Sequence, residues 1–351
     1  MLIPGLLKTR LAAVLLLPLV FTAMACGAEE EPPAGGSGEQ GGDNAAQFYA
    51  DEGLRIVTAN DAGGGFDFYM RTVARTLERT KDIKVTSQNL PGGGGTLGDN
   101  TLWKAEPNGA TIGLLNYPGH VFAQLSDNPA VRYDFTKWQW LGRVAGVAPV
   151  LTVGTDSGFE TLDDLVNSDK PVKFGVEGKG SDAYIGVQLF SNLMDFPVNI
   201  VTGYGGPSEI AAAITRGEID GTFESIDTAL PGIERGDTRA LVIFSEEADE
   251  RLADVPPAPE VATTPEDRET LVAFSNIYAL ERVFAAPPGT PADRVEYLRN
   301  ALSEVFADEQ FIEEMEKAER SVNPMPGSEV DAASKKVAAA AEKLVPLLDE
   351  S

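Results

Sequence analysis

The strongest constraint on the fold is a unit that occurs twice in succession near the start of the chain. Leu54-Arg55-Ile56-Val57-Thr58 is short and β-branched, Gly63-Gly64-Gly65 breaks it, and Phe66-Asp67 leads into a stretch whose apolar Val73, Ala74 and Leu77 recur at helical spacing. Ile83-Lys84-Val85-Thr86-Ser87-Gln88 repeats the pattern: it meets Pro91 and the glycines Gly92, Gly93, Gly94 and Gly95, and Thr96 opens a helix-like segment through Trp103 and Ala105. Two such units bring two helix N-termini to one sheet edge, where the ligands of open α/β sheets sit. The glycines leave the first N–H groups of each helix uncovered, and these groups with the positive end of the helix dipole attract an anion. A turn of this kind also serves simply to let strand and helix pack closely. One anion shared by both turns is the reading that uses both.

The first residues decide the compartment. Lys8 and Arg10 precede an apolar run from Leu11 to Phe21 that ends in Ala23-Met24-Ala25-Cys26-Gly27. This order reads as a bacterial lipoprotein signal over 1–25, cut before Cys26, which takes the lipid. The run is short of the roughly 20 apolar residues that a membrane span needs, and an ordinary secretory cleavage is the other reading. From Ala28 to about Ala46 the chain is mostly Glu, Gly, Pro, Ser and Gln, so 26–47 reads as a lipidated cysteine on a flexible tether. Cys26 is the only cysteine, which leaves the folded part without a disulfide.

With 351 residues, 43% of them hydrophobic, the chain can build one large or two medium α/β domains. Its formal net charge is −26. Loss of Lys8 and Arg10 with the leader makes that more negative still, which excludes nucleic acid and electrostatic adhesion to anionic lipid. An anionic ligand must then be held by local N–H groups and dipoles against a repulsive field.

Further along, Ala110 to Asn116 is a buried strand, Tyr117-Pro118-Gly119-His120 is the turn after it, and His120, the only histidine, reads as a polar loop residue. No second histidine and no free cysteine remain for a zinc site or a cysteine protease. Tyr133 to Leu141 is an aromatic packing connection, and Ala148 to Gly154 is a strand that leaves the first domain. The second half repeats the grammar. Thr161 caps a helix, Val172 to Val176 is a strand, and Gly178-Lys179-Gly180-Ser181-Asp182 turns it into a helix to about Leu193. Val198 to Thr202 leads through Tyr204-Gly205-Gly206 to Pro207, which suits a first helical turn. Strands at Ile219 to Phe223 and Arg239 to Phe244 flank a helix near Asp227. Ile277 to Leu280 and Val283 to Pro287 are strand-like, a long helix follows to Phe306, and two acidic amphipathic helices finish the chain. The expected organisation is lobe 1 at 48–152 plus 275–351 and lobe 2 at 153–274. Crossovers near Val150 to Val153 and Asn276 to Ala279 make a hinge, with the ligand between the lobes.

Taken together, Gly63-Gly64-x-x-Asp67-x-x-x-Arg71, Asn89-x-Pro91-Gly92-x-Gly94-Gly95-Thr96-x-Gly98, Pro107-Asn108-Gly109-x-Thr111, Gly178-x-Gly180-Ser181, Tyr204-x-Gly206, Arg216-Gly217-Glu218-Ile219-Asp220 and Ala286-Pro287-Pro288-Gly289-Thr290-Pro291 resemble the solute-binding proteins of tripartite tricarboxylate transporters, the TctC or Bug family. The resemblance runs from about Leu54 to the final helices. It implies an α/β type II periplasmic-binding fold and a small carboxylate (tricarboxylate, dicarboxylate or related acid) held between the lobes. It further implies delivery to a large and a small membrane subunit, no cofactor, no metal and no catalysis. It has the first two glycine turns grip one carboxylate through backbone N–H groups and ordered water. Family members commonly carry a proline-phenylalanine pair where this chain has Ala59 to Ala62, and a lysine where it has Gly205; both departures point to a less charged acid.

The candidate ligand residues are therefore Gly63, Gly64, Gly65, Phe66, Asp67, Gly93, Gly94, Gly95, Thr96 and Tyr117 from lobe 1. Lobe 2 contributes Gly180, Ser181, Asp182, Tyr204, Gly205 and Asp227. Asp67 and Arg71, one helical turn apart, also read as a plain exposed pair. Ser181 at a helix start can cap the helix as well as donate to a carboxylate, and Tyr204 and Asp227 have packing and capping roles available. Gly93-x-Gly95-x-x-Gly98 satisfies a dinucleotide fingerprint, yet the next strand ends at Asn116 instead of an acidic residue. No G-x-S-x-G elbow is present for a hydrolase. A ligand-sensing lipoprotein that signals to a membrane partner is the serious alternative. The expected state is a monomer that meets the membrane only through its lipid.

Overall fold

A computed structural model describes residues 39–126, 128–179, 181–340 and 343–348. The leader, Cys26, Gly180 and most of the expected tether lie outside them. Helix α1 (Glu39–Glu52) nonetheless takes up residues assigned to that tether. Ala45 and Tyr49 on it are fully buried, and the Tyr49 ring stacks on Tyr297 with centroids 4.9 Å apart. Two apolar residues four apart gave this short polar stretch a face to bury.

The first strand, β1 (Leu54–Thr58), is followed by α2 (Gly65–Lys81), β2 (Val85–Asn89), α3 (Thr96–Trp103), β3 (Thr111–Asn116), α4 (Tyr117–Leu125) and β4 (Gln139–Ala145). Next come β5 (Pro149–Gly154), α5 (Leu162–Val166), β6 (Val172–Val176), α6 (Asp182–Met194), β7 (Val198–Thr202), α7 (Pro207–Thr215), β8 (Gly221–Ser225), α8 (Ile226–Glu234) and β9 (Thr238–Ile243). The chain closes with α9 (Pro265–Tyr278), β10 (Arg282–Ala286), α10 (Ala292–Phe306), α11 (Glu309–Lys317), β11 (Met325–Pro326), α12 (Gly327–Ala340) and α13 (Val345–Leu348).

These strands make two sheets. One has the order β11-β4-β10-β3-β1-β2, the other β7-β6-β8-β5-β9. In the first, β1 runs parallel to β2 and β3 while β10 returns antiparallel between β3 and β4; in the second, β6 is parallel to β7 and β8 while β5 is antiparallel to β8 and β9. The chain thus passes from the first sheet to the second across 146–148 and returns before β10. The first expected boundary shifts: since β5 belongs wholly to the second sheet, the first crossover precedes Val150. The second expected boundary, at 274–275, falls inside α9.

Ile277 to Leu280 is not a strand. Thr264 and Asp267 form a capping box, Pro265 occupies the first turn, and Leu271, Phe274, Ile277 and Tyr278 continue one buried helical face. The segment looked β-like because its four residues were read apart from that spacing. The helix packs between the lobes: Phe274 and Tyr278 meet Phe122 of α4, with centroids 5.7 and 6.0 Å away, and Tyr278 lies 5.6 Å from Phe223 of β8. Nor is the segment from Tyr117 to His120 a turn. Asn116 accepts the Gly119 N–H at the start of α4, and Pro118 sits where a missing N–H costs nothing.

Candidate functional site

Residues that directly follow β1, β2 and β3 in one sheet, and β6 and β7 in the other, line a single cleft of about 1040 Å³. The fold brings the glycine turns of both lobes to it because each turn joins the carboxyl end of a parallel strand to the next helix.

The first turn supplies Gly63, Gly64, Gly65 and Phe66 to the lining. Gly63 has φ +83°, a conformation that favours glycine, whereas Gly64 is extended at φ −82° and serves as N-cap of α2 without any side-chain hydrogen bond. Asp67 stands behind this turn. Its carboxylate accepts the Gly63 N–H at 2.9 Å and the Arg71 Nε–H at 2.7 Å. Burial favours the neutral acid, but the Gly63 N–H, Asn89 and Arg71 together hold its carboxyl below the ordinary aspartate value. The side chain braces the turn and lies outside the cleft lining.

In the second turn four consecutive glycines, Gly92 to Gly95, all adopt positive φ, from +60° to +135°. No β-carbon is tolerated cheaply in such a run. Gly94 and Gly95 line the cleft; Gly93 and the buried Thr96 lie behind them, with Thr96 Oγ1 donating to the Gly93 carbonyl at 2.7 Å. Beneath this turn His120 is no loop residue. Fully buried on α4, it meets Asp99 through Nδ1 at 2.7 Å, accepts the Trp138 indole N–H on Nε2 at 2.7 Å, and stacks on Tyr133 at 3.7 Å. Since Nε2 accepts, Nδ1 carries the proton and donates to Asp99, the arrangement of a neutral ring.

From lobe 2, Ser181 lines the cleft while capping α6: its hydroxyl accepts the Tyr184 N–H at 3.2 Å and donates to the Gly178 carbonyl at 2.8 Å. Asp182 follows it in the lining, and burial raises its carboxyl above the ordinary value, partly offset by the Asn116 side chain and the Arg282 charge. Gly205 also lines the cleft, its N–H donating to the Glu209 carboxylate at 2.7 Å, and Gly206 caps α7 without a side chain. Three helices that begin at the cleft, α2, α3 and α7, thus have glycine N-caps with no side-chain partner. Away from it α5, α9 and α11 are capped by Thr161, Thr264 and Asp308. On α2 such a bare start holds out N–H donors to an anion, whereas on α3 the Thr96 and Leu97 N–H groups turn back to the Gly93 and Gly92 carbonyls and on α7 Pro207 has no N–H to offer.

The sequence profile of the tripartite tricarboxylate transporter family receptor matches residues 69–347. The chain belongs to this receptor family. BugT of Bordetella pertussis is 25% identical over 221 residues, which cover 62% of this chain and 68% of that protein. In structure the receptor resembles MatC from Rhodopseudomonas palustris with bound malate, at TM-score 0.67 and 20% identity over 84% of this chain and 98% of that one. It likewise resembles R. palustris Rpa4515 with adipate, at TM-score 0.68 and 18% identity over 84% and 96%. The fold is accordingly the two-lobed type II arrangement, and proteins of this family are receptors and not enzymes. Among the described residues no helix is long and apolar enough to cross a membrane.

Besides Asp67, Gly93 and Thr96, which stand behind the turns, three expected site residues of this receptor lie away from the cleft. Tyr117 is fully buried and donates to Ser334 Oγ at 2.9 Å, because the helix that replaces the expected turn points it into the core against α12. Tyr204 packs with Ile210, Ala213, Ile214 and Ile219, its ring filling the space left by Gly175. Asp227 is buried on α8, where it accepts Arg251 Nη1 at 2.9 Å and Ser321 Oγ at 2.8 Å. Conversely, Asn60, Asn116, Glu177 and Glu209 line the cleft without having been singled out. Their signal was positional: each sits at the end of a parallel strand or at the helix start after it.

Proposed function

We propose that this receptor captures a small carboxylate between its lobes outside the cytoplasm and delivers it to the large and small membrane subunits of a tripartite tricarboxylate-type transporter. A lipid on Cys26, behind the 1–25 leader, keeps it at the membrane. The observation that carries the ligand class is the bare glycine N-cap of α2, which opens a helix N-terminus onto the cleft beside the Gly94 and Gly95 turn. Malate in MatC and adipate in Rpa4515 are both carboxylates, which supports the same chemistry here. The backbone grip explains how a strongly acidic chain holds an anion, since the donors are local and the repulsive field is screened within about 10 Å.

Calorimetry of the purified protein against a carboxylic-acid panel, run with a chelator present, tests this. One-site binding without turnover is expected. Gly94→Val places a branched side chain where φ is +63° and at the cleft surface, so it should abolish the binding while the fold survives a strain of about 1–2 kcal/mol. Unchanged affinity in a folded Gly94→Val protein rejects the anion grip.

A further inference from the structure

The cleft is polarised from one lobe to the other. On the lobe 1 side Arg282, 4% exposed, reaches beneath the first glycine turn: its Nη2 comes within 3.7 Å of where a β-carbon on Gly65 would stand, and its Nε has no partner. The guanidinium lies over the rings of Phe66 and Tyr69, at 5.1 and 4.8 Å, which fix it under the bare N-terminus of α2. A buried cation with an orphaned N–H and a helix start on top of it make the positive end of the cleft. Glu281 pairs with Arg282 at 2.6 Å, and both stand behind the lining, so the guanidinium acts on the cleft through the turn above it.

The lobe 2 wall has the opposite sign. Glu177, at the end of β6, and Asp182, at the start of α6, both line the cleft, and Glu224 at the end of neighbouring β8 stands behind them. Burial raises all three carboxyls, Glu224 to about 7; the Asp182 charge adds to the rise at Glu177 and the Glu177 charge to that at Glu224, while Arg282 partly offsets the rise at Asp182. Lys179 lines the same wall, its ammonium 5.9 Å from the centre of the Tyr184 ring, and the two acids outnumber it there. The other lining acids are engaged elsewhere: Asp99 with His120, and Glu209 with the Gly205 N–H, while Asp61 sits exposed on lobe 1.

We propose that the ligand is a small zwitterion, with its carboxylate at the Gly63 to Phe66 turn over Arg282 and a cationic nitrogen at its far end against Glu177 and Asp182. The inference rests on the carboxylate reading above and narrows it. A second carboxylate at the far end would face two like charges and lose affinity, whereas an ammonium relieves the repulsion between them.

The test is calorimetry at neutral pH with three chain-matched pairs: succinate against γ-aminobutyrate, glutarate against δ-aminovalerate, and adipate against ε-aminocaproate. The amino member should bind at least about tenfold tighter in the pair whose length fits, and Glu177→Gln should erase that preference while leaving the thermal midpoint within about 2 °C. Tighter binding of the dicarboxylate, or a preference that Glu177→Gln leaves intact, overturns the zwitterion and leaves the carboxylate reading standing. Heat from no member of either series overturns both.

Discussion

Removing the carboxylate of Asp67 tests whether the first glycine turn is held from behind. Its side chain is 10% exposed and receives two charge-assisted hydrogen bonds, from the Gly63 N–H at 2.9 Å and from Arg71 at 2.7 Å. The backbone bond to an ionised, largely buried acceptor is worth about 1.5 kcal/mol. Arg71 is 45% exposed, so its share is discounted to about 0.5 kcal/mol. Asp67→Ala should therefore cost about 2 kcal/mol, a fall of roughly 4 °C in thermal midpoint for a folded unit this large. Because the folded carboxyl titrates below its unfolded value of about 3.9, the contribution is complete above that pH and is lost as the pH falls through the folded value. The gap between wild type and variant, followed by calorimetric scans, should be level from pH 7 to pH 5 and close below about pH 4. A gap that widens on acidification refutes the reasoning. Ligand affinity should fall with the turn, and Asp67→Asn should fall less. Abolished binding in an Asp67→Asn protein of unchanged stability would instead make Asp67 a direct ligand contact.

Two other outcomes follow from the geometry. His120→Phe leaves the Asp99 carboxylate buried with no partner under the second turn and should cost 3 kcal/mol or more by the usual order of magnitude for a broken buried pair, which Asp99→Leu in the same protein should largely restore in chemical denaturation. Ligand should also draw the lobes together, since a ligand gripped from both sides favours the closed state. Scattering is expected to show a smaller radius of gyration at saturation, and an unchanged radius would mean that the cleft is already formed or that one lobe binds alone.

What local chemistry dictates was legible. The strand, glycine and helix units became β1-α2 and β2-α3 with their turns at one sheet edge. Thr161 and Ser181 became helix caps and Pro207 a first helical residue, because these preferences depend on residues within a turn of one another. The resemblance carried the rest of the architecture, through motifs spread along the chain.

By itself the sequence determined where the backbone turns and which helix starts are bare. Only the tertiary structure decided what each side chain meets. A tyrosine after a strand serves equally as cleft wall or as core, and Tyr117 and Tyr204 went to the core because α12 and the Ile210 cluster lay on that side. Asp227 found Arg251 and Ser321, 24 and 94 residues away, and the lone histidine became the centre of a buried pair with Asp99 and Trp138. The sign of the cleft's two walls is of the same kind. Arg282 and Glu177 are more than a hundred residues apart, and the charge a ligand meets between them exists only once both sheets contribute to one cleft, because electrostatic interaction depends on distance in space and on the water excluded there.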